Sequence, residues 1–378
     1  IGLGYVGLPL AVEFAKKLPV VGFDIKRARI DELNAGHDDT LEVDDDNLQS
    51  VLVTEPGNWD RRRGLYLTDQ LEEIKDCNYY IVTVPTPIDK YKRPDLTPLI
   101  KASGTVGKVL SKGDIVIYES TVYPGATEED CVPILEKESG LKYNEDFFVG
   151  FSPERINPGD KEHTFLTIKK VTSGSTPEVA DKVDALYNMV VQNGTHKASS
   201  LKVAEAAKVI ENAQRDLNIA FVNELAMSFQ IMGIDILEVI KGASSKPFAF
   251  MPHFPGAGVG GHCIPVDPYY LIQKAHDIGF EHNFLKLARK INNHMPNYTV
   301  SLLEKLSEEL GIDLHTKVVG LMGIAFKKNI DDVRNSPYFK IKQLLDEKAI
   351  TNVSYDPYVP KMSSYKTLEE FLEKSDFI

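Results

Sequence analysis

The sequence predicts an α/β protein: two doubly wound, Rossmann-like domains joined by a helical centre that carries one long helix. Three observations predict it. The N-terminal third alternates short β-rich runs with helical stretches, the pattern of parallel strands joined by helical crossovers. A glycine turn, Gly2-Leu3-Gly4-Tyr5-Val6-Gly7, opens into an apolar helical pattern from Leu8 to Leu18. The stretch from Ser200 to Met232 holds no Pro or Gly and is rich in Ala, Glu, Lys and Leu, which predicts a single long helix. At 378 residues the chain also exceeds the roughly 250–300 that one hydrophobic core serves. The expected domains are 1–197, a helical middle over 198–312, and 313–378, the last incomplete in this sequence.

In chain order, Val20–Asp24, Tyr79–Val84, Asp114–Tyr118, Phe147–Phe151 and Lys169–Thr172 are β-branched or aromatic runs bounded by turn residues, and each predicts a buried strand. The character changes near Lys197, where the long helix follows. Further helical pattern lies between Pro268 and Leu310, and Val318–Met322 predicts the strand that opens a second α/β segment. Ile1 enters the glycine turn without a feeding strand, and Asp376-Phe377-Ile378 reads as the start of another, so a longer protein is expected.

The formal net charge of −12 disfavours a nucleic-acid partner, whose phosphates it would repel. No run approaches the roughly 18 apolar residues of a membrane span. Cys77, Cys131 and Cys263 are too few and too scattered for a disulfide framework or a zinc site, which fits a reducing cytoplasm and no metal. Any anionic ligand must therefore find local basic groups or helix N-termini.

The glycine turn meets that need. Its glycines allow a tight turn and close approach of a pyrophosphate to a helix N-terminus. Asp24, about twenty residues on at the end of the next strand, suits a carboxylate that accepts from ribose hydroxyls and favours NAD over NADP. Lys26, Arg27 and Arg29 beside it soften that preference.

The most informative stretch is Pro255-Gly256-Ala257-Gly258-Val259-Gly260-Gly261-His262-Cys263-Ile264-Pro265-Val266-Asp267. A cysteine in a glycine-rich loop, with a carboxylate four residues on, is a candidate nucleophile. Cys77 and Cys131 lack such a setting and read as inert thiols. On the long helix, Lys208 and Asn212 share a face, where an ammonium and an amide could meet a developing oxyanion.

Together these segments resemble the UDP-glucose/GDP-mannose dehydrogenase family across essentially the whole chain. The matching pieces are Gly2–Gly7, Val84-Pro85-Thr86-Pro87, Ser120-Thr121 with Pro124-Gly125, and Ser152-Pro153-Glu154. They continue with Ala204–Lys208 and Asn212, Gly260–Cys263 and Asp267, and Gly323–Lys327 with Asp331–Arg334. The resemblance implies oxidation of a sugar C6 alcohol to the acid, consuming two NAD, with Cys263 forming a thiohemiacetal and then a thioester. It implies that Lys208 and Asn212 stabilise oxyanions, that Asp267 orients a water or Lys208, and that Thr121 and Glu154 support the water. The implied cofactor contacts are Gly2, Gly4, Tyr5, Val6, Gly7, Asp24, Arg29, Pro85, Thr86, Thr121 and Arg334. The implied substrate contacts are Glu154, Arg155, Lys208, Asn212, Lys246, Gly260 and Lys327.

Departures from the UDP-glucose branch narrow the substrate. Pro158 replaces a second glutamate of that branch, and Val266 replaces a lysine between the proline and aspartate after the cysteine. With His262, Asp267-Pro268-Tyr269-Tyr270, Gly36–Thr40 and Lys246-Pro247-Phe248, these look like the branch acting on UDP-N-acetylhexosamines, the glucosamine form being preferred. His262 itself reads as either a turn residue or a substrate contact, Tyr269 and Tyr270 as core, and Arg61-Arg62-Arg63 as solvated surface. The alternatives are a UDP-glucose or UDP-N-acetylmannosamine dehydrogenase, a two-electron hydroxyacid-type dehydrogenase, and a non-catalytic NAD-binding subunit. Ala220, Phe221, Leu225 and Phe229 suggest a homodimer through the long helix.

Overall fold

The apolar runs of the N-terminal third pair in parallel because each can be buried on both faces once helices cover the sheet. The computed structural model describes residues 1–55, 63–89, 93–155 and 167–378. Of the sequence readings, Arg61, Arg62 and Pro158 lie outside the described residues, while Arg63 is exposed. The chain divides into two compact units, Ile1–Val209 and Ile210–Ile378.

The first unit carries α1 (Gly7–Ala15), β1 (Pro19–Phe23), α2 (Arg27–Asn34), α3 (Asp45–Gln49), β2 (Gly64–Thr68) and β3 (Tyr79–Val82). It continues with α4 (Thr97–Gly107), β4 (Ile115–Tyr118), α5 (Val132–Ser139), β5 (Phe148–Phe151), β6 (Lys170–Gly174), α6 (Pro177–Asn188) and β7 (Thr195–Lys197). β1 and β2 pair in parallel, and β3-β4-β5-β6-β7 form a second sheet in which only the β5–β6 pairing is antiparallel. Ile1 and Gly2 connect the two. Gly2 N donates to Phe23 O at 2.8 Å, Ile1 N donates to Ile81 O at 2.8 Å, and Thr83 N donates to Ile1 O at 3.0 Å. The backbone entering the glycine turn thus lies between β1 and β3, and the turn opens at the sheet's carboxyl edge, where ligands of doubly wound sheets sit. Val82, Val116, Tyr118, Val149 and Phe151 bury one core of this unit.

The long helix α7 (Leu201–Met232) spans the stretch expected for it. In the second unit it is followed by α8 (Ile236–Ser244), α9 (Asp267–Asp277), α10 (Asn283–Glu309), β8 (Val318–Met322), α11 (Pro337–Glu347), β9 (Thr351–Tyr355) and α12 (Leu368–Glu373). β8 and β9 are parallel with α11 crossing between them, a βαβ unit, and Phe377 bridges to Val319. Gly279, at φ +85°, ends α9, where the amides of Gly279 and Phe280 donate to His276 O and Ala275 O.

α7 and α10 are joined by polar groups where apolar packing would be expected. Arg289 donates to Asp216, Asn292 Nδ2 donates to Asp216 Oδ1 at 2.8 Å, and Asn223 Nδ2 donates to Asn292 Oδ1 at 2.9 Å. All four residues are buried. Losing one partner strands a buried charge, a cost of about 3–5 kcal/mol. Asp216→Ala is therefore expected to lower unfolding free energy by about that amount in urea titration. The double substitution Asp216→Ala/Arg289→Met should recover much of it; a single variant as stable as the parent would contradict the assignment.

Candidate active site

The glycine turn is shaped from both sides. A Cβ on Gly7 would lie 1.8 Å from Gly2 O and 2.4 Å from Thr83 Oγ1, so only glycine fits. Thr83 Oγ1 donates to Gly2 O at 2.7 Å, and Gly2 has φ +90°. A Cβ on Gly4 would meet nothing within 4 Å: this is the face left open for a ligand. The N-cap of α1, Val6, has no side-chain cap, so the first-turn amides have no side-chain acceptor at that position. An open glycine over an uncapped helix start fits a dinucleotide pyrophosphate. Tyr5 is exposed beside it.

Asp24 Oδ2 accepts from Leu3 N and Oδ1 from Lys26 N, both at 2.9 Å. These bonds orient the carboxylate at the end of β1, and each oxygen keeps a lone pair for a ribose hydroxyl. Arg29 braces the turn itself. Its Nε donates to Leu3 O at 2.8 Å, and its other nitrogens pair with Glu32 and Asp38. Burial alone would raise the Asp38 carboxyl, but hydrogen bonds from Thr40, Arg29 and the amides of Val43 and Thr40 hold it below its ordinary value. Thr86 Oγ1 donates to Thr121 O at 2.6 Å, and Ser120 Oγ donates to Val84 O, so the loops after β3 and β4, with Pro85 and Thr121, are tied together.

Glu154 follows β5. Its Oε1 accepts from Arg155 N at 2.6 Å, and Arg155 Nη1 donates to Lys169 O at 2.7 Å. Lys208 and Asn212 stand four residues apart on α7, both buried.

In the second unit Asn212 Nδ2 donates to Asp267 Oδ2 at 2.6 Å, again with both residues buried. The amides of Val266 and Asp267 donate to Cys263 O at 3.0 and 2.8 Å. Cys263 therefore stands, half-buried, on the turn that enters α9. The preceding glycines are packed against the chain itself. A Cβ on Gly260 would lie 2.5 Å from Phe326 Cβ, and one on Gly261 would lie 2.8 Å from Phe326 Cε2. Gly261 N donates to Arg334 O and Asn335 Nδ2 donates to Gly261 O, each at 2.9 Å. Arg334 pairs with Asp332 at 2.6 Å, Lys327 is half-buried, and Lys246 is exposed with its ammonium 4.8 Å from the centre of the Phe248 ring. Tyr270 is buried, Tyr269 half-buried, and His262 half-buried beside Cys263. Cys131 is buried and its thiol is pushed up to about 12, chiefly by that burial; Cys77 is raised for the same reason. Neither has the setting of a nucleophile. Among the described residues there is no cluster of His, Cys, Asp or Glu able to hold a metal, and no helix long and apolar enough to cross a membrane.

Three domain models of one family match this chain in order: the NAD binding domain over residues 1–191, the central domain over 202–294 and the UDP binding domain over 320–378. The chain belongs to the UDP-glucose/GDP-mannose dehydrogenase family. Similar relatives include a UDP-N-acetyl-D-glucosamine 6-dehydrogenase from Pseudomonas aeruginosa, 56% identical over 98% of this chain and 84% of that one. Another, of the same name from Salmonella typhi, is 52% identical over 95% of this chain and 81% of that one. Among solved structures, the UDP-D-ManNAc dehydrogenase from Pyrococcus horikoshii superposes with a TM-score of 0.86 at 33% identity, covering 99% of this chain and 86% of that one. The protein is thus an NAD-dependent nucleotide-sugar dehydrogenase, with the doubly wound fold expected of it.

Several residues that shape this dehydrogenase's loops have no role assigned from the sequence, Glu205 among them although its motif is recognised. Glu205, fully buried on α7, accepts from the amides of Gly125 and Thr127 and from Thr127 Oγ1, joining two motifs that stand about eighty residues apart. Asp356 accepts from Ile324 N and Ala325 N and so holds the loop that carries Lys327. Asn223 accepts from Gly256 N at the head of the Cys263 loop. Acidic or amide residues on helices and after strands are common, and only their partners give these meaning.

Two substitutions test the cofactor turn. Gly7→Ala should abolish NAD binding, because its Cβ cannot be placed without moving Gly2. Asp24→Ala should weaken NAD by about 1–3 kcal/mol, the range for hydrogen bonds to a charged acceptor, in calorimetric titration. Unchanged affinity in either variant would remove the turn from the cofactor site.

Proposed function

We propose that this enzyme oxidises C6 of UDP-N-acetyl-D-glucosamine to the uronic acid through a covalent intermediate on Cys263. The observation that carries the sugar is the identity above one half with two UDP-N-acetyl-D-glucosamine 6-dehydrogenases, against 35% with a UDP-N-acetyl-D-mannosamine dehydrogenase. The covalent route is supported by the setting of Cys263, a half-exposed thiol on a turn closed by the Asp267 amide and braced by glycine contacts.

Bound NAD supplies the hydride acceptor, one molecule for each oxidation. In the first oxidation C6 loses a hydride and its hydroxyl loses a proton to a water oriented by Asp267, leaving an aldehyde. Cys263 Sγ then bonds to the aldehyde carbon, and the carbonyl oxygen takes up a proton to give a thiohemiacetal. Loss of the second hydride and of that proton leaves a thioester. Water adds to the acyl carbon, the C–S bond breaks, and the sulfur regains a proton as the acid leaves. Lys208 and Asn212 stabilise the oxygen as it gains negative charge. Asp267, fixed by Asn212, orients the proton transfers, and Thr121 with Glu154 supports the hydrolytic water. Arg155, Lys246, Gly260 and Lys327 hold the nucleotide sugar, and Pro85, Thr86 and Arg334 serve the cofactor.

We read three working domains here, 1–197 for NAD, 198–312 for the nucleophile and 313–378 for UDP, serving synthesis of a surface polysaccharide in the cytoplasm. A homodimer through α7 is supported by Phe221, 58% exposed, and Ile231, 89% exposed. Ala220 is buried within the chain and leaves that set.

A panel of UDP-glucose and the UDP-N-acetyl forms of glucosamine, galactosamine and mannosamine, with product mass and NADH measured together, tests the reading. The expected result is the highest kcat/KM for the glucosamine form and two NADH per uronate. One NADH with free aldehyde would reject the covalent route, and preference for another sugar would reject the substrate.

A further inference from the structure

Lys170 opens β6 and is 2% exposed, far inside for an ammonium. Because β6 runs antiparallel to β5, its first residue lies beyond the carboxyl ends of β4 and β5, where Glu119 and Glu154 follow those strands. Lys170 Nζ donates to Glu119 Oε2 at 2.7 Å and to Glu154 Oε2 at 3.3 Å. Glu119 Oε1 accepts from the Tyr187 hydroxyl, and the ammonium stands 5.6 Å from the centre of the Tyr187 ring. Glu119 and Tyr187 are fully buried; the Glu154 side chain keeps 14% of its surface exposed. Of these four side chains, Glu154 is the one that reaches the sheet's open edge.

Burying a lysine and a glutamate costs several kcal/mol for each ion, and an apolar pair of similar volume would often serve stability as well. The charged arrangement has another consequence: it fixes one oxygen of Glu154 while Arg155 N fixes the other. We propose that Lys170 is a positioning residue for Glu154, anchoring its carboxylate and supplying its counter-charge for the hydrolytic half of the reaction. This rests on the reading of Glu154 as the support of the hydrolytic water. Burial alone would lower the Lys170 ammonium, but Glu119 and Glu154 outweigh it and leave it raised, so it stays charged. Among the described residues, the charges near Glu154 also include Arg155 on its own loop and Glu42, whose carboxyl is raised first by burial and also by Asp38 and Glu154.

The test is the pH profile of thioester breakdown, read as decay of the acyl-enzyme in single-turnover quench experiments. Lys170→Met/Glu119→Gln removes one charge of each sign and so leaves the interior neutral. It should slow hydrolysis about tenfold near neutral pH and move the acid limb up by about one pH unit, the scale of losing a neighbouring opposite charge. Glu119→Gln alone leaves the ammonium to Glu154 and should move the limb down. A role in packing alone would not shift the limb in opposite directions. Wild-type profiles in both variants overturn the proposal, provided Glu154→Gln itself slows hydrolysis. If Glu154→Gln hydrolyses like wild type, the reading of Glu154 fails and the proposal falls with it.

Discussion

The hydrogen bond from Asn212 to Asp267 is short, buried and placed where α7 meets the start of α9. Asp267 N in turn donates to Cys263 O, so one amide side chain fixes the turn that presents the thiol. Asn223 holds the head of the same loop through Gly256 N, and Gly261 is tied on both sides to residues 334 and 335. A glycine-rich loop has much conformational freedom to lose, and anchoring it in advance removes that cost from the reaction itself.

The first unit uses the same device with other groups. Glu205 on α7 grips the turn at Gly125, Thr83 holds the glycine turn, and Arg29 braces it through Leu3 O. This also answers how a chain of net charge −12 handles two anionic ligands. Many of its cations are already paired: Arg29 with Asp38, Lys170 with Glu119, Arg289 with Asp216 and Arg334 with Asp332. Backbone amides at a helix start, such as the uncapped start of α1, suit an anion without any net positive charge.

What was legible in the sequence follows from what is local. The strands β1, β3, β4, β5, β6 and β8 and the helix α7 declare themselves because periodicity and absence of breakers act over a few residues. β2, β7 and β9 were missed. β7 has three residues, Thr195-His196-Lys197, and β9 reads Thr-Asn-Val-Ser-Tyr; neither shows a clean apolar run, and both are strands because a neighbour supplies the ladder. The glycines before Cys263 carry a further constraint that the sequence does not show: at Gly260 and Gly261 a side chain would collide with Phe326 of this chain. Glu205, Asp356 and Lys170 could not be singled out, since each depends on a partner more than thirty residues away.

The proposed route carries the sugar on Cys263 between its two oxidations. The most direct measurement is the mass of the Cys263 peptide, recovered after acid quench of enzyme mixed with NAD and UDP-N-acetylglucosamine. The covalent route predicts a sugar-nucleotide adduct on that peptide that rises within the first turnover and decays as uronate forms. A peptide that stays unmodified while uronate accumulates would contradict it.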